Sequence, residues 1–388
     1  MMRDTAIKAA ALAAILAVVA ALAFLSPLPR DVKVLLQNLS IYIAIYAIYV
    51  ISLNLEVGYL GLPQFGKVMF LIIGAIAVGG IATKVVLLIY QSYLLKSIGV
   101  APLSNIGDYC MLYQYSAGSL VNQQLAQNPA LGFGYFLLGV ALAMALSAAL
   151  GVLFAYPAIR LREDYLGILL LVSGEFLRVV TYYATPVACG VNGAVIPDPF
   201  AWASGEARTL VFFAITAALL VATFFVFDIV GNSPFGRTLR AIRDAETAAA
   251  VFGKDIVKFR IRVLALASAF AGLAGALLAY YFDYTILGTF LPIYTFIGWT
   301  MLILGGQGNN VGAIVGAAAY YTIQTLLDIY KNALQALLHA DPTYLAYAVF
   351  GLAIILVLMY RPQGMVPEKP VKTIDLYTIR KETVDKNA

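Results

Sequence analysis

Histidine, cysteine and charge are all scarce in this chain. Among its 388 residues there is one histidine, His339, and there are two cysteines, Cys110 and Cys189. That inventory cannot supply a His/Cys metal cluster. A Ser/His or Cys/His nucleophile pair would have to use His339, which sits beside Asp341 and Pro342 and reads as a solvated loop residue. Lys, Arg, Asp and Glu make up 12% of the chain, against 62% hydrophobic residues, whereas soluble domains run near ~25% charged. So few charges cannot cover a water-facing surface of this size. An ordinary cytosolic enzyme, a disordered regulator and a nucleic-acid-binding domain are excluded, despite the net charge of +5. The composition is that of an all-α polytopic membrane protein embedded in lipid.

Ten hydrophobic segments are present: 7–25, 34–55, 67–89, 131–157, 165–185, 207–229, 263–283, 291–304, 311–327 and 343–360. Most reach the roughly 20 residues that a membrane-crossing helix needs. The pair 291–304 and 311–327 is short and separated by Gly-Gly-Gln-Gly-Asn-Asn, so it reads either as two tilted spans or as one broken, partly re-entrant element. Arg3 and Lys8 before the first apolar run resemble a signal peptide, but the run is long enough to span, and a retained helix is expected. With the N-terminus inside, eighteen of the 25 Lys/Arg fall on the cytoplasmic side, six outside, and Arg178 within a span. This bias places both termini in the cytoplasm. The chain divides into a transmembrane domain, residues 1–360, and a basic, solvated cytoplasmic tail, 361–388. The domain carries outer loops at 90–130 and 186–206 and a cytoplasmic loop at 231–262.

Both cysteines lie in the outer loops, where an oxidising compartment permits a Cys110–Cys189 disulfide; two free thiols are the alternative. Glu175 and Arg178 lie mid-span and share a helix face at a spacing of three. Ionisable residues inside a membrane are costly, so this pair either ties helices together or lines a solute path. Ala267, Ala271 and Gly275 recur every four residues and form a flat stripe for close helix packing. Two stretches imitate a phosphate-binding loop. Gly61–Gly66–Lys67 lacks the hydroxyl that would hold magnesium, Gly231–Gly236–Arg237–Thr238 has Arg in place of Lys, and neither follows a strand. Both read as turns, and no nucleotide or other cofactor is expected on this chain.

The cytoplasmic loop is the most informative segment. Ser233 followed by Pro234 marks a helix start. Phe235, Leu239 and Ile242 fall on one face, with Arg237, Arg240 and Arg243 mostly off it. Continued helically, the apolar face reaches Glu246 and Ala249, and Gly253 is a natural stop. A glutamate on that face suits docking into a groove of another protein better than resting on lipid headgroups.

The run Glu246-Thr-Ala248-Ala249-Ala-Val-Phe-Gly253, with the preceding Ser-Pro-Phe-Gly-Arg-Thr-Leu-Arg-Ala-Ile-Arg-Asp, resembles the coupling loop of ABC importer permeases of the Liv-type, branched-chain amino-acid family. Other marks agree in order: Gly58-Tyr-Leu-Gly61, Phe65-Gly66, Glu175-Phe-Leu-Arg178, Ala271-Gly272-Leu-Ala-Gly275, Leu304-Gly305-Gly306-Gln-Gly308 and Arg361-Pro-Gln-Gly364. The resemblance covers about 54–366. Lys67 stands where the family usually has His or Asn, Gln64 where Ser is common, and 90–130 is longer than the usual outer connection.

The resemblance implies a permease subunit of a multi-pass cytoplasmic membrane complex in a prokaryote. It further implies two ATP-binding subunits below, a second permease subunit (an identical copy or a different one) and an extracytoplasmic solute-binding protein. On that footing Phe235, Leu239 and Ile242 are expected to fill a groove of the ATPase, the loop arginines to pair with its acids, and Glu246, Ala249 and Gly253 to shape the docking turn. Gly58, Gly61, Gln64, Gly66, Glu175, Arg178, Gly305, Gly306 and Gly308 are candidates for the translocation path, because broken helices expose backbone groups to polar ligands. The substrate expected is a branched-chain or other amino acid. The rival reading is an ion-coupled secondary transporter of amino acids or small urea-type amides. A membrane-embedded enzyme is disfavoured by the single histidine and the lack of acid clusters in the spans.

Overall fold

Inside hydrocarbon every backbone N–H and C=O must be satisfied by the chain itself, and a helix does this locally. The apolar segments are accordingly helical. The structure, a computed structural model, describes residues 2–25, 29–99, 106–161, 163–331, 335 and 342–368. His339 and the tail beyond residue 368 lie outside the described residues.

The helices that matter here are α1 (Met2–Ala20), α2 (Arg30–Asn54, extended by a π-helical turn Leu55–Tyr59), α3 (Val68–Ile89), α4 (Gln114–Gln127), α5 (Pro129–Arg160), α6 (Glu163–Tyr183) and α7 (Glu206–Asn232). They continue with α8 (Pro234–Asp244), α9 (Glu246–Val251), α10 (Ile256–Phe282), α11 (Ile293–Gly305), α12 (Asn310–Ile329) and α13 (Pro342–Tyr360). Among the described residues seven helices are long and apolar enough to cross a membrane, and the apolar stretches Ile293–Gly305 and Ala348–Tyr360 are shorter. Each of the ten hydrophobic segments coincides with a helix. Part of the long outer loop is helical too, in α4 and in Gln91–Ile98.

Helix α10 is the axis of the bundle, and its most apolar stretch is 89% buried. Its small residues explain this. Ala267, Ala271 and Gly275 are all enclosed, and a side chain at Gly275 would run into the backbone of Leu71 on α3. Helices α5, α3 and α2 pack around it, with α7 and α12 outside α2.

Polar contacts sort the helix ends onto two sides. At the end of the bundle that carries the 231–262 loop, Thr5 donates to Asp228 at 2.6 Å and Lys8 pairs with it at 3.1 Å, tying the start of α1 to the end of α7. At the opposite end Lys33 pairs with Glu206 at 2.7 Å. There a two-stranded antiparallel ribbon, β1 (Ala194–Val195) with β2 (Tyr284–Thr285), joins the 186–206 loop to the stretch after α10, and the Cys110–Cys189 disulfide ties the 90–130 loop to the 186–206 loop beside it.

Arg208 bridges two acids on this outer face, Asp198 and Asp283. Burial pushes the Asp283 carboxyl up to about 6, against the opposing pull of Arg208. The folded state therefore holds a proton that the unfolded chain releases near ~4. The sign follows from linkage. Stability is highest below the unfolded value and falls as pH rises through the window from about 4 to about 6. Asp283 adopts φ +54, which asparagine also tolerates. Asp283→Asn is expected to abolish this component of the pH dependence of thermal unfolding between pH 4 and 7. A variant as pH-sensitive as the parent would contradict the assignment.

Candidate coupling site and its links to the bundle

The cytoplasmic loop starts as its residues dictate. Ser233 accepts from Gly236 N at 3.3 Å, and Pro234 occupies the first turn of α8. The helix does not continue through to Gly253. It breaks at Ala245 (φ −157°), and α9 begins anew at Glu246. The second stop is at Gly253, with φ +75 and Lys254 N donating to Ala249 O at 3.1 Å, the hydrogen bond of a left-handed glycine cap.

The apolar face of α8 points the other way from the sequence expectation. Leu239 and Ile242 are buried inside this chain, and Phe235 stacks on Phe259 at 5.0 Å. Leu239 and Ile242 are therefore not available to fill a partner's groove, while Phe235 stays half-buried against Phe259. They weld α8 to the bundle, because an amphipathic face is satisfied by any apolar cover, and this chain supplies its own. Two of the loop arginines are likewise engaged within the chain. Arg240 pairs with Glu368 at 2.6 Å and lies over the Tyr59 ring at 4.8 Å. Arg243 pairs with Glu368 at 3.0 Å and donates to Gly58 O. Glu246 pairs with Arg260 of α10 at 2.9 Å; Ala249 is buried and Arg237 is exposed. The tip of the loop presents Val251 and Phe252, 85% and 83% exposed. In sequence these two residues carry no signal beyond filling the positions before Gly253.

The tail is not wholly solvated either. Met365 N and Val366 N donate to Leu304 O and Gly305 O, each at 2.9 Å, and Asn309 Nδ2 donates to Pro367 O at 3.0 Å. Residues 361–368 thus lie along the 305–310 turn, with Glu368 between that turn and α8.

Most of the glycine candidates occupy close-approach positions. Gly308 N donates to Asn54 Oδ1 at 2.8 Å, and a side chain on Gly58 would collide with that same Gly308 N and with Asn54. Gly61 packs on Arg243, Gly66 on the Leu170 backbone, Gly305 on Gly312, and Gly306 on Val366. The turns holding Gly58, Gly61, Gly306 and Gly308 therefore form one packed junction between α2, α8, α12 and the tail.

From this junction the segment 60–67 enters the bundle as irregular backbone, which is tolerated at membrane depth only where protein covers it or water fills it. Gln64 is buried; its Oε1 accepts from Gly66 N at 3.2 Å, and its carbonyl accepts from Trp299 Nε1 at 2.9 Å. Lys67 pairs with Glu56 at 2.8 Å with both side chains fully enclosed, and reaches Ala267 O of α10 at 3.3 Å. Sequence alone puts Lys67 at a cytoplasmic boundary and offers Glu175 with Arg178 as the ionisable residues of the membrane interior. Glu175 and Arg178 do pair, at 2.8 Å, but partly exposed, with Arg178 also donating to Gly288 O at 3.1 Å. The available sequence signal for the deeper pair is the departure at Lys67.

A family model described as the permease component of the branched-chain amino acid transport system matches residues 35–358. The chain belongs to that family. It is 37% identical to a probable branched-chain amino acid transport permease protein LivM of Methanocaldococcus jannaschii over 342 residues, 87% of this chain and 95% of that protein. It is 26% identical to the high-affinity branched-chain amino acid permease LivM of Salmonella typhimurium, over 58% of this chain and 56% of the relative. The Escherichia coli protein of the same name is also 26% identical, over 57% and 55%. No solved structure matches the chain. The protein is therefore a multi-pass membrane protein and a transport component of the branched-chain permease family. Its 60–67 segment, ion pair and cytoplasmic loop all fall within the matched region.

Proposed function

We propose that this chain is one of two permease subunits of an ATP-driven importer of branched-chain amino acids in a prokaryotic cytoplasmic membrane. Separate subunits bind and hydrolyse ATP below it, and an extracytoplasmic solute-binding protein feeds it from above; this chain binds no cofactor of its own. The observation that carries the reading is the cytoplasmic loop. Its base is welded into the bundle through Leu239, Ile242 and the Glu246–Arg260 pair, while its tip holds out Val251 and Phe252. Exposed apolar side chains at such a tip suit insertion into a pocket. A load applied there passes through Arg240, Arg243 and Glu368 to the 58 and 308 turns, and on to α2.

Glu368 is the shared partner of both arginines and is 25% exposed. Discounting for solvent screening, its loss is worth about 1 kcal/mol, a factor of about five. Glu368→Ala is expected to lower solute transported per ATP hydrolysed by that order, with ATPase binding retained. An unchanged ratio would remove Glu368 from the coupling route.

The ion-coupled alternative needs a titrating group facing a path. Glu56 and Lys67 pair with each other and are fully enclosed, so that pair does not supply one. Affinity purification of the tagged chain from its own membranes tests the assembly. The expected result is stoichiometric recovery of an ATP-binding subunit; a chain purified alone under mild detergent, active in uptake, would overturn it.

A further inference from the structure

On the outer half of the bundle a cavity of about 660 Å³ is bounded by α2, α10, α11, α12 and the connection 284–292, which holds β2 and a 3-10 turn at Leu287–Thr289. That volume is in the range of small-molecule sites. None of the glycine candidates from the sequence lines it. Three features give it a chemical character.

The first is the backbone. Helix α11 has 13 residues, about 20 Å, which is too short to cross ~30 Å of hydrocarbon. Its first turn begins inside the bundle: Val68 N donates to Thr295 Oγ1 at 2.9 Å, and Tyr49 Oη donates to Tyr294 O at 3.4 Å. Ile293 and Tyr294 of that turn line the cavity. The N-terminal, positive end of the α11 dipole thus borders it, although the Tyr294 and Thr295 N–H groups already donate to Leu291 O at 3.1 Å and Pro292 O at 2.9 Å.

The second is the aromatic wall. Tyr42 and Tyr46 of α2 and Tyr321 of α12 stand together, with ring centroids 5.5 Å apart for Tyr42–Tyr321 and 4.6 Å for Tyr46–Tyr321. Their π faces attract cations, and their edges and rings take apolar chains.

The third is a lone charge. Asp328 is the one charged residue among the described residues lining the cavity. It lies on α12 seven residues beyond Tyr321, about 10 Å further along the helix. The cavity therefore has a helix N-terminus in one wall, a carboxylate toward its rim and tyrosine rings between them, with no lysine or arginine among the described residues that line it.

We propose that this cavity is an outer binding site for a zwitterionic amino acid with an apolar side chain. The ligand carboxylate faces the first turn of α11, the ammonium faces Asp328 and the tyrosine rings, and the side chain packs on the aromatic wall. Asp328 is the specificity-determining residue, excluding ligands that carry the carboxylate without the ammonium. This deepens the proposed function and rests on it for the choice of ligand.

The test is equilibrium binding of radiolabelled leucine to the purified permease–ATPase complex, without ATP or binding protein, with 4-methylpentanoate as competitor because it keeps the branched chain and carboxylate but lacks the ammonium. The parent is expected to bind leucine and ignore 4-methylpentanoate. Asp328→Asn, at an exposed position and so recovered folded, is expected to weaken leucine binding at least tenfold and to admit 4-methylpentanoate. A Gln324→Cys complex gives a second readout: leucine should slow the reaction of the introduced thiol with a membrane-impermeant reagent. No leucine binding by the parent, equal leucine binding by Asp328→Asn, or an introduced thiol that no reagent reaches because lipid or the second permease covers it would each overturn the proposal. Asp328-dependent leucine binding in a complex whose uptake ignores ATP would leave this site standing and remove the ATP-driven reading; ATP-driven uptake untouched by Asp328→Asn would do the reverse.

Discussion

Replacing Lys67 by methionine is expected to cost about 3–5 kcal/mol of stability, the penalty for stranding one member of a buried ion pair. Glu56 and Lys67 are both at 0% exposure, 2.8 Å apart. Once the ammonium is gone, Glu56 has no counter-charge in a region without solvent, and Ala267 O on α10 loses its donor as well. The double replacement Glu56→Gln, Lys67→Met removes the stranded charge and is expected to recover all but roughly 1–2 kcal/mol, because neutral replacements of a buried pair are often close to neutral. A double-mutant cycle from denaturant unfolding in detergent reads the difference directly. Single and double variants of equal stability would show that the pair does not hold the 60–67 segment.

The second large effect is at the loop tip. Val251→Asp with Phe252→Asp is expected to weaken association with the ATP-hydrolysing subunit by about 3–5 kcal/mol, since burying a Val or Phe side chain is worth about 1.5–3 kcal/mol and a desolvated charge adds to the loss. Uptake falls with it. The thermal stability of the chain itself should move by less than about 0.5 kcal/mol, because both side chains are more than 80% exposed and touch little. Leu239→Asp is the counterpart: Leu239 is fully buried in this chain, so that variant should lose folded protein. If instead Leu239→Asp folds normally but sheds the ATPase, the docking face is the one that the sequence periodicity suggests.

That contrast shows how far the sequence can be read. The ten apolar segments are local properties of composition and length, and each appears as a helix. The start at Ser233–Pro234 and the stop at Gly253 are equally local, set by a cap and a left-handed glycine. The periodicity of Phe235, Leu239 and Ile242 announces a face that must be covered, but not by what. The break at Ala245 is invisible locally, since alanine is the best helix former; directly after it Glu246 turns to pair with Arg260 of α10. Glu56 and Lys67 are eleven residues apart and meet only because the backbone between them folds back through the bundle. Glu368 meets Arg240 across 128 residues, a contact that no pattern within either segment encodes. The outer cavity is of the same kind, assembled from four helices and a broken stretch whose residues look ordinary in order.

Transport through this permease is proposed to be driven from its 231–262 loop by ATP hydrolysis on a partner. The direct measurement is uptake of labelled leucine into proteoliposomes holding the assembled complex, with the solute-binding protein outside and nucleotide trapped inside. Uptake that requires internal ATP, survives collapse of proton and sodium gradients by ionophores, and disappears with the Val251/Phe252 double variant is the predicted result. Uptake that persists without ATP and stops with the ionophores would contradict it.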